Sequence, residues 1–134
     1  MILRVEHIGI AIKDATKAED LFNKLLGTGC YKREGVESEG VNTFFYRTGE
    51  TKIELLEATR EDSAIAKFIE NKGEGIHHIA FEVDDLEAEI ARLKAEGFTV
   101  LNEVPKNGAD NKRIAFLHPK STNGVLIELC QEIR

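Results

Sequence analysis

One short pattern occurs twice in this chain, about half a chain length apart. The octapeptides VEHIGIAI and IHHIAFEV both alternate in a way that predicts a β-strand. Aligning their central isoleucines places His7 over His78, an offset of 78 − 7 = 71 residues. A second repeat, Ile-Glu-Leu, places Glu54 over Glu128, an offset of 128 − 54 = 74 residues. A period this long indicates a duplicated domain half, because solenoid repeats are much shorter.

The repeated histidines and glutamates are of the residue types that bind divalent metals. His7 and His78 each share a strand face with small residues, which leaves room beside the imidazole. Glu54 and Glu128 each lie between two apolar residues, so their carboxylates project to the opposite face of the strand. A single His or Glu in a strand is more often structural or solvated. The matched recurrence of all four favours a metal such as Zn, Co, Ni or Mn held by both halves.

Composition narrows the class of protein. A chain of 134 residues with 42% hydrophobic and 31% charged residues is typical of a globular domain. No apolar run approaches a membrane span, and no signal or transit peptide is visible. The net charge of −6 disfavours nucleic acid as a partner. Two cysteines without CxxC spacing favour a reduced, cytoplasmic setting.

The hydrophobic pattern predicts one α+β domain over residues 1–134, made of two βαβββ modules. The modules span about residues 1–58 and 75–134, and a short helical connector joins them. In the first strand we expect Glu6 at an exposed start. The predicted helices begin near Asp14, near Asp62 or Ser63, and near Asp84 or Asp85. The other predicted strands are Cys30–Glu37, Val41–Thr48, Thr51–Glu57, Phe98–Val104, Lys112–His118 and Val125–Gln131.

Basic residues are concentrated in the last third of the chain. They are Lys106, Lys112, Arg113 and Lys120. They are either ordinary surface residues or contacts to the phosphates or the carboxylate of an anionic ligand, and their spacing alone does not decide between the two. As candidates for substrate binding we take Lys120, Arg113 and Lys112.

Several stretches together resemble a known superfamily over nearly the whole chain. The most specific is RIAFLHPK, from Arg113, followed by GVLIEL, from Gly124. With the duplicated βαβββ order and one His and one Glu per half, the chain is similar to the vicinal oxygen chelate (glyoxalase/bleomycin resistance/dioxygenase) superfamily. Within it, the chain resembles the methylmalonyl-CoA epimerases. The resemblance implies a homodimer and a cupped mixed sheet around one divalent metal ion per site, of unknown identity among Co, Zn, Ni and Mn. The implied ligands are His7, Glu54, His78 and Glu128.

The resemblance also implies a reaction, the metal-dependent epimerisation of (R)- and (S)-methylmalonyl-CoA through an enolate at C2. The C2 proton is flanked by a thioester and a carboxylate, and a Lewis acid would make it removable. One group removes the proton and a second returns one on the opposite face. Glu128 is the candidate for one of these groups. Thr43 stands where some relatives are thought to have a carboxylate, so Glu54 is the remaining candidate for the other.

Other members of the superfamily supply the competing interpretations. A glyoxalase I-type lactoylglutathione lyase uses a similar site of two histidines and two glutamates and also passes through an enediolate. An extradiol dioxygenase needs iron with two histidines and one carboxylate, and the matched Glu54 disfavours it. Metal-free binding proteins that sequester drugs share the fold. For the epimerase we expect a small-molecule acyl-CoA as partner, with neither nucleic acid nor membrane.

Overall fold

The computed structural model of the chain describes residues 1–133, and its elements repeat one order. The strands are β1 Ile2–Ile12, β2 Lys32–Val36, β3 Val41–Thr48, β4 Thr51–Ala58, β5 Gly75–Val83, β6 Lys106–Asn107, β7 Lys112–Leu117 and β8 Ile127–Glu132. The helices are α1 Ala15–Leu26, α2 Ala64–Lys72 and α3 Leu86–Ala95, with short 3-10 helices at Glu37–Glu39 and Pro119–Ser121. The predicted α+β class and the βαβββ order of both halves are confirmed. Within residues 1–133, no helix is long and apolar enough to cross a membrane.

The chain divides into two compact units. The His7 unit comprises residues 7–77, and the His78 unit comprises residues 1–6 together with the chain from His78 onward. Each unit is built on four neighbouring strands, in the order β2-β3-β4-β1 for the first and β5-β8-β7-β6 for the second. In each, the strand that carries the histidine pairs in parallel with the strand that carries the glutamate, β1 with β4 and β5 with β8.

Helix α1 covers one face of the strands in the His7 unit. Its Phe22 and Leu26 pack against a buried cluster that includes Phe44, Tyr46 and Leu55. Burial of these side chains follows the two-residue period of the strands, so the opposite face is left for His7 and Glu54. Helix α2 covers part of that opposite face through Ile65, which packs against Ala11, Val41 and Leu56.

Helix α3 provides the core of the His78 unit. Leu86, Ile90 and Leu93 lie on one helix stripe and are buried against strand residues. Their strand partners are Val83, Ala115, Leu117 and Leu129. Residues 1–6 complete this unit, where Arg4 Nη2 lies 3.1 Å from Glu82 Oε1. The face of β8 opposite Leu129 carries Glu128 and Cys130.

Each α-helix begins at a side-chain cap. Asp14 accepts from the amide of Lys17 at 3.2 Å, Ser63 from Ala66 at 3.1 Å, and Asp85 from Ala88 at 3.1 Å. A cap of this kind satisfies an amide that the helix leaves without a partner. The structure therefore selects Ser63 rather than Asp62, and Asp85 rather than Asp84, from the predicted alternatives.

Two sequence predictions are wrong. The predicted strand Phe98–Val104 is not a strand; Val100 makes a single bridge to Leu117, and a two-residue strand follows at Lys106–Asn107. The segment has a strand-like composition, but Val104 is 81% exposed and cannot anchor a pleated face on the core. Glu6 was expected at an exposed strand start but is only 1% exposed, because β1 begins at Ile2 and Glu6 lies in its interior.

Candidate functional site

The His7 unit holds a buried histidine–glutamate pair on two parallel strands. Glu54 of β4 is in register with Gly9 of β1, and His7 lies two residues earlier on the same face. Because Gly9 has no side chain, the carboxylate can reach the imidazole. His7 Nδ1 lies 3.1 Å from Glu54 Oε2, and the two residues are 5% and 4% exposed.

The His78 unit repeats this arrangement. Glu128 of β8 is in register with Ala80 of β5, and His78 lies two residues before Ala80. His78 Nε2 is 3.2 Å from Glu128 Oε1, and both residues are 5% exposed. A small residue again occupies the position opposite the glutamate, two residues after the histidine. The predicted equivalence of the two halves therefore extends to the contact between the side chains.

The chemistry of these donors fits a divalent metal. A buried carboxylate is costly unless a cation or a hydrogen-bond donor compensates it. In each unit the compensating neighbour is an imidazole nitrogen, and imidazole nitrogen with carboxylate oxygen is a donor set that suits Zn, Co, Ni and Mn. The chain thus contains buried candidate ligand groups in both units.

A phenylalanine that the sequence reasoning missed lies beside each pair. Phe45 of β3 is in register with Glu54, and Phe116 of β7 is in register with Glu128. The Phe116 ring also meets the His78 ring edge-on, with centroids 5.9 Å apart. A signal was present in the sequence, because the offset 116 − 45 = 71 equals that of the two histidines.

Thr43 lies on the same strand face as Phe45, two residues before it on β3. Its register partners are Leu56 on β4 and Glu34 on β2. The side chain is 1% exposed. A threonine hydroxyl does not act as a base at neutral pH, so this position supplies no proton acceptor.

The three basic residues predicted to bind substrate occupy different surroundings. Lys112 is buried, with Nζ 3.8 Å from both Asp110 Oδ2 and Glu132 Oε1. Arg113 follows it on β7, so it points to the opposite face, where it donates to Glu87 of α3. That guanidinium lowers the pKa of Glu87. Lys120 is exposed on the 3-10 helix Pro119–Ser121. Substrate binding by these residues stays a prediction.

Cys130 shares the strand face of Glu128 but has the character of a neutral thiol. It is fully buried, and its Sγ donates to the carbonyl oxygen of Phe81 at 3.6 Å. Burial raises the pKa of this thiol, and the charges of Glu128 and Glu6 raise it further. A protonated thiol is a poor metal ligand, so Cys130 fills space.

Comparisons with known proteins place the chain among proteins of one superfamily. A family model described as the Glyoxalase/Bleomycin resistance protein/Dioxygenase superfamily matches residues 6–116. An ethylmalonyl-CoA/methylmalonyl-CoA epimerase from Cereibacter sphaeroides is 43% identical, over 98% of this chain and 99% of the relative. The human mitochondrial methylmalonyl-CoA epimerase is 40% identical, over 96% of this chain and 73% of the relative. A solved structure of a Streptomyces coelicolor methylmalonyl-CoA epimerase variant, in complex with 2-nitronate-propionyl-CoA, superposes on this chain with a TM-score of 0.93. The two sequences are 37% identical, and the match covers 98% of this chain and 96% of that chain.

Proposed function

Because the chain belongs to the Glyoxalase/Bleomycin resistance protein/Dioxygenase superfamily, we propose that it is a methylmalonyl-CoA epimerase. It interconverts the (R) and (S) epimers of methylmalonyl-CoA through an enolate at C2. The observation that carries this function is the near-full-length similarity, at 37% identity or more, to proteins named as epimerases of this substrate. The buried His–Glu pair in each unit supports it chemically.

The proposed enzyme uses one divalent metal ion among Co, Zn, Ni and Mn. Four residues are proposed to hold it, namely His7, Glu54, His78 and Glu128. The support is that each unit supplies one buried imidazole and one buried carboxylate, whose nitrogen and oxygen are 3.1 Å and 3.2 Å apart. When bound, the ion supplies Lewis acidity to substrate oxygens next to the acidic C–H bond.

The chain's own carboxylates move the proton. Epimerisation breaks the C2–H bond and remakes it on the opposite face, so it requires a proton acceptor and a proton donor. Glu128 is proposed to take the proton on one side, because its carboxylate is buried and held beside His78. Glu54 is its counterpart in the other unit and the candidate for the second transfer.

An isotope experiment tests the function. In D₂O, the purified protein with its bound metal should equilibrate one epimer of methylmalonyl-CoA with the other while C2 acquires deuterium. A glyoxalase I-type lyase would instead convert the hemithioacetal of glutathione and leave methylmalonyl-CoA unlabelled. A drug-binding member of the superfamily would contain no metal and catalyse neither reaction. Either result would refute the epimerase.

The partners follow from the proposed substrate. The proposed partner is a small-molecule acyl-CoA, and Lys120, Arg113 and Lys112 are proposed to contact it. A homodimer in the cytoplasm is proposed as well, supported by the two free thiols and by exposed apolar side chains such as Leu21 and Leu25. Sedimentation at micromolar concentration that found only a monomer would remove the dimer.

A further inference from the structure

The duplication extends to one lysine in each half, Lys106 from the basic residues of the last third and Lys32, which the sequence pattern did not single out. Lys32 of β2 places its Nζ 5.2 Å from the ring centroid of Phe45, and Lys106 of β6 places its Nζ 5.8 Å from that of Phe116. The offset 106 − 32 = 74 equals that of the two glutamates. Each half therefore contains the same row of side chains, a glutamate, a phenylalanine in register with it, and a lysine over the phenylalanine.

In the His78 unit this row is continuous with the histidine. The Phe116 ring contacts the His78 ring on one side and the Lys106 ammonium on another. An ammonium over an aromatic face is held in place by the ring quadrupole and keeps its positive charge. The positive charge of Lys106 is thus fixed one side chain away from a proposed metal ligand.

The backbone of Lys106 is also closely constrained. Lys106 is in register with Ile114, and two residues later the amide of Gly108 donates to the carbonyl oxygen of Lys112 at 2.8 Å. A Cβ at Gly108 would lie 2.8 Å from Ile114 Cδ1. Glycine at position 108 therefore permits the close approach of the chain after β6 to the Ile114 side chain.

We propose that Lys106 binds an anionic group of the substrate, with Lys32 as its counterpart in the other half. This inference rests on the proposed function, since methylmalonyl-CoA carries a carboxylate on C2 and the phosphates of CoA. In a chain with a net charge of −6, such anions need a local cation. The Nζ atom of Lys32 also lies 3.3 Å from Glu34 Oε1.

Binding measurements on matched variants test this role. The variants are Lys106→Met, Lys106→Arg and Lys32→Met, with Lys24→Met as the control, because Lys24 is an exposed residue of α1 paired with Asp20. Isothermal titration of the metal-containing protein with methylmalonyl-CoA should give a Kd raised about tenfold or more in Lys106→Met, the effect of losing one charge-assisted contact. We expect Lys106→Arg to stay within about threefold of the parent, Lys32→Met to weaken binding as well, and Lys24→Met to leave it unchanged.

Propionyl-CoA, which has the phosphates but no carboxylate, distinguishes the two anionic groups. If Lys106→Met weakens only methylmalonyl-CoA, the lysine binds the carboxylate; if it weakens both thioesters equally, the lysine binds a phosphate. Unchanged affinity for both thioesters in Lys106→Met overturns the inference, as does an equal loss in Lys106→Met and Lys106→Arg. A parent protein that binds both thioesters but does not epimerise methylmalonyl-CoA would refute the proposed function and leave this comparison valid.

Discussion

Replacing Glu128 by Gln separates the proposed role of this residue as a proton acceptor from its proposed role as a metal ligand. Glutamine has the same shape and keeps an oxygen that can face a metal ion, but it does not accept a proton at neutral pH. The side chain is 5% exposed and lies 3.2 Å from His78 Nε2, so the replacement must fit a nearly closed space. The substitution therefore changes proton affinity and charge with little change in volume.

The size of the effect follows from what the carboxylate is proposed to do. Removal of a positioned general base typically lowers the rate by about 10²–10⁴-fold. This corresponds to about 2.7–5.5 kcal/mol of transition-state stabilisation. A smaller loss of folding stability, about 1–3 kcal/mol, is expected if the buried amide N–H finds no acceptor. Turnover should thus fall far more than the folded population does.

The assay follows deuterium entry at C2 of methylmalonyl-CoA by NMR, with metal content measured by elemental analysis in the same samples. Glu70→Gln is the matched control, because Glu70 is an exposed glutamate of helix α2. Glu54→Gln is the informative partner, since near-normal turnover would make Glu54 a ligand only. If Glu128→Gln keeps its metal and incorporates deuterium at C2 at a rate within about threefold of that of the parent, Glu128 is not the catalytic base.

Three further outcomes are expected from other parts of the molecule. His7→Ala or His78→Ala should remove the metal while leaving the circular dichroism spectrum native, and stoichiometric metal by elemental analysis in either variant would refute the ligand assignment. Leu86→Ala empties a fully buried position and should lower the free energy of unfolding in urea by about 2.7–5 kcal/mol. Val104→Ala, at an 81% exposed position, should change it by less than about 0.5 kcal/mol. Arg113→Ala removes the guanidinium that lowers the pKa of Glu87 below the ordinary value of 4.5. A carboxyl group whose pKa is lowered by folding stabilises the folded state at pH values above its unfolded pKa. Arg113→Ala should therefore be slightly less stable than the parent at neutral pH, and this difference in stability should shrink as the pH falls below about 4.5. Urea unfolding curves recorded at several pH values measure the difference.

The His–Glu contact within each half was accessible from the sequence because it depends on local rules. The two-residue period of a strand fixes the face on which His7 and His78 lie, and the repeated Ile-Glu-Leu fixes the face of each glutamate. The parallel pairing of the strands then brings each His beside its Glu. The nearly equal offsets, 71 and 74 residues, indicated from the sequence alone that these four residues form a set.

The lysine–phenylalanine rows were harder to predict because they depend on the register between strands. Phe45 and Phe116 read as ordinary core residues in a strand pattern, and the sequence does not specify that each lies opposite a glutamate. The strand predicted at Phe98–Val104 failed for a related reason. Composition indicates whether a segment can be extended, whereas its pairing partner decides whether it forms a ladder.

The spacing of the histidine and glutamate along the chain has a consequence for the order of folding. The contacts His7–Glu54 and His78–Glu128 join residues separated by 54 − 7 = 47 and 128 − 78 = 50 positions. The hairpin of β3 and β4 closes through only Gly49 and Glu50, and the helices begin at local caps, so these elements have far less loop entropy to overcome. We therefore expect the long-range parallel pairings, and with them the ligand pairs, to form last. In contrast to a zinc finger, in which the ion drives folding, the proposed metal ion would bind this chain only after most of its tertiary structure has formed.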